Sequence, residues 1–539
     1  MNKKNWQIIN KNNKDIIDIL LENRGLNSNK EKEIFFNPIH PKDLKLKDLG
    51  INKLEINKAI KRINKAKNQK EKVIVYGDYD ADGISATAIM WEALHKYGLD
   101  VLPYIPNRFS EGYGINPASL QSLKKEHPGL KLIVTVDNGI AAFPAIKDAA
   151  RLGIDVIITD HHQKEKKVPK ALSIVHTTQI CGSALAWIFA RELGIYGGLE
   201  LAAIGTIADQ MPLIRANRSF AKLGLKELSR TKRVGLLELL KDSGIKDKDL
   251  GAYEVNYIIA PRINSMGRLA NGIDSLRLLC TKDAKRAKDL SSLISKTNLE
   301  RQSMVEKTIK EVQNKVNKDD NTIIFLSSES YHEGIIGLAA GKLVEEYYRP
   351  AIVISKGKKL SKGSARSING FNIIEAIREH SSLLVAHGGH VMAAGFTIET
   401  SNLEKFQKAI NKSSKKLLTK DILARKKKID CEIDFSAINW KLSEKIKEFE
   451  PTGLGNPSPT FLTKDVEIKD IKLLGKDKSH LKLKLEKNNL YFDAVGFGMA
   501  KLDKNLQTGG RADLIYSIEE NSWNGTKNIQ LKIKDINQH

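Results

Sequence analysis

The sequence predicts a multidomain α/β protein ending in a small β-barrel, and three observations carry that reading. Its 539 residues exceed what one hydrophobic core usually organises. From Val73 onward, short β-branched runs (VIVY, VLPYI, LIVTV, VIIT) alternate with helical stretches such as ISATAIMWEALHKYG and AFPAIKDAARLG. That alternation is the pattern of a parallel sheet with crossover helices. The final stretch instead carries LKLKLEK, LYFDAVGFG, ADLIYSIEE and IQLKIKDI, alternating strands separated by turn residues, which suit a barrel.

In chain order, residues 1–70 read as a lysine-rich helical arm with Ile16, Ile17, Ile19, Leu20 and Leu21 at mixed helical spacing, packing against the domain that follows. Residues 71–215 form the first α/β domain, and 216–318 a helical connection whose charged end bridges two lobes. Residues 319–420 hold a second α/β segment, built from TIIFLSS, the helix IIGLAAGKLVEEYY and the strand PAIVIS. The barrel occupies 421–539, after the basic run ARKKK.

Composition narrows the function. A content of 41% hydrophobic and 28% charged residues excludes a wholly disordered or collagen-like chain. Cys181, Cys280 and Cys431 lie far apart without a CxxC pair, so neither a zinc ribbon nor a disulfide framework is supported. Polar residues interrupt every apolar run near the N-terminus; the expectation is no signal peptide, no membrane span and a reducing cytoplasm. Lys and Arg outnumber Asp and Glu by 88 to 64, a net charge of +24 that favours a polyanionic partner, nucleic acid or an anionic membrane surface.

The chemistry concentrates at strand ends. VIVYGDYDADG places Asp78, Asp80 and Asp82 at steps of two between a strand and a helix. Read alone, this is an acidic turn with an Asp N-cap; buried, three such carboxylates repel unless hard divalent cations relieve them. The next two strands end in Asp137 and in Asp160, His161 and His162, and a parallel sheet delivers such ends to one crevice. Asp209 closes the apolar run LAAIGTIAD, as a helix C-terminal turn or a further ligand. A mixed Asp and His set suits a two-metal hydrolase, in which cations activate water and neutralise a phosphoryl group, with Asp137 as the bridging candidate.

DYDADG, VDNG, TDHH and GTIAD, in this order and spacing, resemble the motifs of the DHH phosphoesterase superfamily. PNRFSEGYGI, APRINSMGRL, GSARS and GGHVMAAG resemble its RecJ single-stranded-DNA exonucleases, and FEPTGLGNPSPTF resembles the lead-in to their oligonucleotide-binding (OB) barrel. The resemblance implies a DHH catalytic domain, a DHHA1-like substrate-binding lobe and an OB-like single-strand-binding domain. It implies Mn2+ or Mg2+ held by Asp80, Asp82, Asp137, His161 and Asp209, with Asp78 as ligand or neighbour, His162 beside the scissile phosphate and Asp160 orienting the histidines. Tyr76 stands where pyrophosphatase-type relatives place a histidine ligand, which shifts weight to Asp78.

Arg108, Arg262 and Arg268, readable otherwise as structural ion pairs, become phosphate grips with Asn264 as a polar contact. Ser364 and Arg366 after Gly363, and Gly388, Gly389 and His390, read as small-residue turns whose amides approach phosphate. Arg108, Arg268, Ser364 and Arg366 are the candidates for gripping a terminal 5′ phosphate. GIIGLAAGKL lacks the first glycine and the Ser/Thr of a Walker loop, having Ile336 and Leu343 there. Phe461, Tyr491, Phe492 and Phe497 are either stacking platforms or core.

The implied activity is metal-dependent hydrolysis of single-stranded DNA from the 5′ end, in DNA repair and recombination, releasing nucleoside monophosphates. Helicase and single-strand-binding protein would be its partners, with no membrane role. The alternatives are a phosphodiesterase for short oligonucleotides or cyclic dinucleotides, and a noncatalytic single-strand-binding scaffold. Unrelieved acidic repulsion speaks against the scaffold.

Overall fold

The computed structural model describes residues 5–12, 14–245, 249–313, 323–523 and 526–539. The chain separates into two compact units, one built from Trp6–Ala260, Leu279–Lys282 and Lys427–His539, the other from Pro261–Leu278 and Asp283–Lys426. The expected multidomain α/β architecture with a terminal barrel is present. No helix among the described residues is long and apolar enough to cross a membrane.

The first unit contains a five-stranded parallel sheet in the spatial order Asp100–Tyr104, Lys72–Tyr76, Leu130–Val136, Asp155–Asp160, Ser173–His176. Lys72–Tyr76 and Leu130–Val136 are almost wholly buried, which is why they read as continuous apolar runs rather than alternating ones. The strand order reverses between these two strands, creating the crevice at which open α/β sheets bind ligands. The helix Ala81–Tyr97 starts there. Asp80 caps it by accepting from the amides of Asp82 and Gly83, and Gly98 ends it in the left-handed conformation.

The barrel closes through the strands Phe461–Leu474, His480–Lys487, Leu490–Gly496, Thr526–Gln538 and Arg511–Trp523, the last pairing back onto the first. The N-terminal segment differs from the expected arm in two ways. It opens with a short strand, Trp6–Ile8, parallel to Lys427–Ile429. It also packs on the barrel rather than only on the domain following it: Ile19, Leu20, Leu21, Leu26 and Phe35 share one buried cluster with Phe461, Leu483, Tyr516 and Leu531. A helix of seven residues cannot stand alone, so its apolar side chains bury where surface is on offer, whatever the sequence separation.

The second unit holds a mixed sheet in the order Leu384–His390, Ala393–Glu399, Leu360–Arg366, Ala351–Ser355, Ile324–Ser328, together with the 30-residue helix Ala284–Gln313. Two turn expectations are corrected here. Gly363, Ser364 and Arg366 lie within a strand paired on both sides, so their amides belong to a sheet interior. Gly363 is there because a Cβ would meet the Phe396 ring at 2.2 Å. Gly388, Gly389 and His390 end the exposed edge strand of the same sheet.

Candidate active site

Asp78, Asp80, Asp82, Asp137, His161 and Asp209 converge at the switch point of the parallel sheet. Ligand-capable atoms of Asp78, Asp80 and Asp137 lie within 4.8 Å of one another, as do those of Asp82, His161 and Asp209, and those of Asp137, His161 and His162. His161 Nε2 stands 3.0 Å from Asp137 Oδ1, 3.7 Å from Asp209 Oδ2 and 3.9 Å from Asp82 Oδ2. It therefore connects the groups.

Local backbone structure sets where several of these carboxylates stand. Asp82 accepts from the amides of Gly182 (2.7 Å) and Ser183 (2.9 Å), the first residues of the helix Gly182–Glu192, whose N-cap Cys181 makes no side-chain capping bond to these amides. Asp137 takes a positive φ of 62° directly after its strand. A Cβ on Gly182 would meet its side chain at 2.6 Å, and one on Gly205 would meet Asp82 Oδ1 at 2.1 Å and Ser183 Oγ at 2.0 Å. Asp209 is the C-cap of the helix Leu199–Ala208.

Electrostatically the cluster is unsatisfied. Burial, and then the charge of Asp80, pushes Asp78 well above the usual carboxylate range; burial with Asp82, Asp80 and Asp78 does the same to Asp137. Burial and Asp82 raise Asp80 and push Asp209 up to about 8. Asp78 Oδ1 and Asp137 Oδ1 are buried and accept no hydrogen bond, the latter although His161 Nε2 stands 3.0 Å away. Orphaned carboxylate oxygens beside mutually repelling acids are the donor set that hard divalent cations satisfy. Burial holds His161 below its ordinary value, which favours the neutral, ligating imidazole.

His162 differs. Burial opposes its protonation, but Asp160 Oδ1, 2.8 Å from Nδ1, raises it to about 9. Asp160 is itself fixed by the amides of Ile140 and His162. On the other side of the ring, Nε2 lies 3.2 Å from the Tyr113 hydroxyl, which donates to Asp137 O at 3.2 Å. Tyr76 is fully buried and turned to Gly114 O and Ser119 Oγ. Arg108 stacks over Tyr79 at 5.1 Å.

In the second unit, Arg268, Ser364 and Arg366 gather around the segment 332–337. Arg268 donates to Gly334 O (3.3 Å) and Arg366 to Ser364 Oγ (3.2 Å). A Cβ on Gly337, in the first turn of the helix Ile336–Tyr347, would meet Ser364 Oγ at 3.0 Å and Arg366 Nη2 at 3.1 Å. His390 and Arg366 are both register partners of Ala393, and Gly388 and Ser364 both of Gly395, so these four share one sheet face. Gly389 lies on the other row. Arg262 and Asn264 sit on the helix Ala260–Leu269.

Of the barrel aromatics, Phe461 is buried and Phe492 packs on Phe435, whereas Tyr491 and Phe497 are exposed beneath Lys484 and Lys532. Sequence reasoning missed the amides of Gly182 and Ser183, the close approach at Gly205, and Tyr113. Only the last carried a signal, as an aromatic within PNRFSEGYGI.

Three family models match: the DHH family N-terminal domain over residues 72–208, the DHHA1 domain over 320–416 and the RecJ OB domain over 429–535. The single-stranded-DNA-specific exonuclease RecJ of Bacillus subtilis is 36% identical, over 96% of this chain and 67% of that one. The protein of the same name from Haemophilus influenzae is 30% identical, over 89% of this chain and 90% of that one. The RecJ structure from Thermus thermophilus in complex with Mn2+ superposes with a TM-score of 0.82 at 27% identity, over 97% of this chain and 76% of that one. Its Mg2+ complex gives a TM-score of 0.75, at 26% identity over 97% of this chain and 74% of that one. With the acidic cluster at the switch point and the three domains in this order, the chain belongs to the RecJ family.

Proposed function

We propose that this chain hydrolyses single-stranded DNA from its 5′ end with divalent metal, releasing nucleoside monophosphates in DNA repair and recombination. The observation that carries the reading is the buried, mutually repelling carboxylate cluster with two orphaned oxygens. Asp78, Asp80 and Asp137 would hold one Mn2+ or Mg2+ ion, and Asp82, His161 and Asp209 a second, with Asp137 between them. Bound there, such ions supply water activation and neutralisation of phosphoryl charge. His162, kept protonated by Asp160, gives a proton to the leaving oxygen, and Tyr113 fixes its ring. Arg108 grips a strand phosphate.

End recognition is assigned to Arg268, Ser364 and Arg366. The N-terminus of the helix Ile336–Tyr347, a serine hydroxyl and a guanidinium make a phosphate cradle, with His390 and the small Gly388 and Gly395 on the same face. Arg262, Asn264 and Gly389 flank it in sequence as lesser strand contacts. Tyr491 with Lys484, and Phe497 with Lys532, suit stacking and phosphate contact on the barrel. A helicase and a single-strand-binding protein are the expected suppliers of unpaired substrate.

The test is a Mn2+ and Mg2+ titration with labelled single strands and matched duplexes, resolving products by size. Mononucleotides released from single strands, absent with chelator, are expected. Equal cutting of duplex, or cleavage that survives chelation, overturns the reading.

A further inference from the structure

Within the first unit a groove of about 780 Å³ opens beside the acidic cluster, inside the size range of ligand clefts, roughly 300–1,000 Å³. One lining residue is Gln210, which follows Asp209 directly and donates to Asn256 Oδ1 at 2.8 Å. The loop leading into the barrel forms another wall and is fastened to the same segment: Leu213 N–H donates to Leu454 O at 2.7 Å, and a Cβ on Gly455 would meet Pro212 at 2.9 Å. The groove thus connects the residue after a metal-site carboxylate with the single-strand-binding barrel.

Two aromatic rings line it and remain in water. Tyr253 and Tyr257 are 64% and 67% exposed, with ring centroids 4.9 Å apart at 32°. They stand one turn apart where the helix loosens into a π-turn, Val255–Ile259, with the Ala260 amide bonded to Val255 O. Pro261 has no N–H for the Tyr257 carbonyl, so a regular α-turn would gain nothing here. π-turns occur frequently at functional sites.

Resting on the function proposed above, we infer that this groove binds bases of the single strand on the 3′ side of the metal cluster, with Tyr253 and Tyr257 as a stacking ledge. Bases rather than phosphates fit its chemistry. Lys222 and Lys226 are offset by Asp249, Glu254 and Glu450, and Glu254 is already engaged with the Gly251 amide at 2.8 Å. Burial lowers Lys222 to about 8, which weakens its charge further. A nearly neutral wall offering side-chain amides and aromatic faces recognises heterocycles by edge and by stacking, while the phosphates face water. A peptide could use the same tyrosines. Continuity from Asp209 through Gln210 to the barrel favours the strand, which must leave the cluster along some surface.

The test uses the full chain in EDTA with a 3′-labelled oligothymidylate, alongside cleavage of the same strand by the wild type in Mn2+. The double substitution Tyr253→Ala, Tyr257→Ala should weaken binding about 5- to 100-fold. It should leave the salt slope unchanged, because no phosphate contact is removed. Tyr253→Phe, Tyr257→Phe keeps the rings and should restore affinity, which separates stacking from loss of fold. Abasic sites scanned from the 5′ end should cost affinity at one or two positions in the wild type and not in the double alanine variant. Wild-type affinity with an unaltered abasic profile in a chain that still cuts single strands overturns the groove alone and leaves it to a peptide. A chain that neither binds nor cuts single strands overturns both readings.

Discussion

Asp82 shows how little of a site resides in its named side chains. Its carboxylate is aimed by two helix amides, and the space it occupies exists only because residue 205 has no side chain. Gly205→Ala should therefore lower stability by about 1–3 kcal/mol through overpacking and weaken metal binding, readable as a reduced melting temperature and a reduced Mn2+ affinity. Asp137→Ala should cost the most metal, since its carboxylate belongs to one acidic set and reaches His161 of the other; native mass spectrometry should find fewer bound ions than in wild type. His162→Ala should keep its metal stoichiometry yet turn over roughly 10²- to 10⁴-fold more slowly, the usual worth of a placed acid. Asp78, Asp80, Asp137 and Asp160 were legible because strand-end acids in a parallel sheet must converge. The Gly182 and Ser183 amides were not, because every residue type except proline carries an N–H and nothing in the sequence says which one a carboxylate will meet.

At the scale of the element, the strand Leu360–Arg366 exchanges a turn for a sheet without moving the candidate residues off one face. Ser364 and Arg366 are two apart and so point the same way, while Gly363 accommodates an aromatic ring on the other row. GSARS looks like a turn because glycine and serine dominate turns; only the distant Phe396 reveals the other use of the glycine. Arg366→Ala should reduce initial rates on 5′-phosphorylated strands far more than on 5′-hydroxyl strands. Arg366→Lys should recover part of the difference, since an ammonium lacks the planar fork. Equal loss on both strand types would reassign Arg366 to general binding. The β-branched runs of the central strands Lys72–Tyr76, Leu130–Val136 and Asp155–Asp160, by contrast, were readable outright, because strands buried on both faces carry few polar positions to blur them.

At the scale of the molecule, the first unit is tied by contacts that cross most of the chain. Arg218 is buried and donates to carbonyls of Phe35, Glu448, Phe449, Glu450 and Pro451, joining arm, helix and barrel lead-in. Arg218→Leu would orphan those acceptors and should cost about 3 kcal/mol or more in denaturant unfolding. Because the arm shares the barrel's core, deleting residues 427–539 would strip the arm as well, and point substitutions are the cleaner probe of strand binding. Lys484→Ala and Lys532→Ala should each reduce the salt slope of single-strand affinity by about 0.7, while Tyr491→Ala and Phe497→Ala should weaken affinity at unchanged slope. None of this pairing was visible in the arm's own pattern, which encodes an amphipathic helix but not its partner. The same pairing has a consequence for biosynthesis. Ile19, Leu20, Leu21, Leu26 and Phe35 leave the ribosome long before Leu514, Leu531 and Ile536 of their cluster are translated. At about 5–20 residues per second, the wait is on the order of 25–100 s. A segment made early is thus folded late, and for that interval it is a natural client for whatever shields nascent apolar chain.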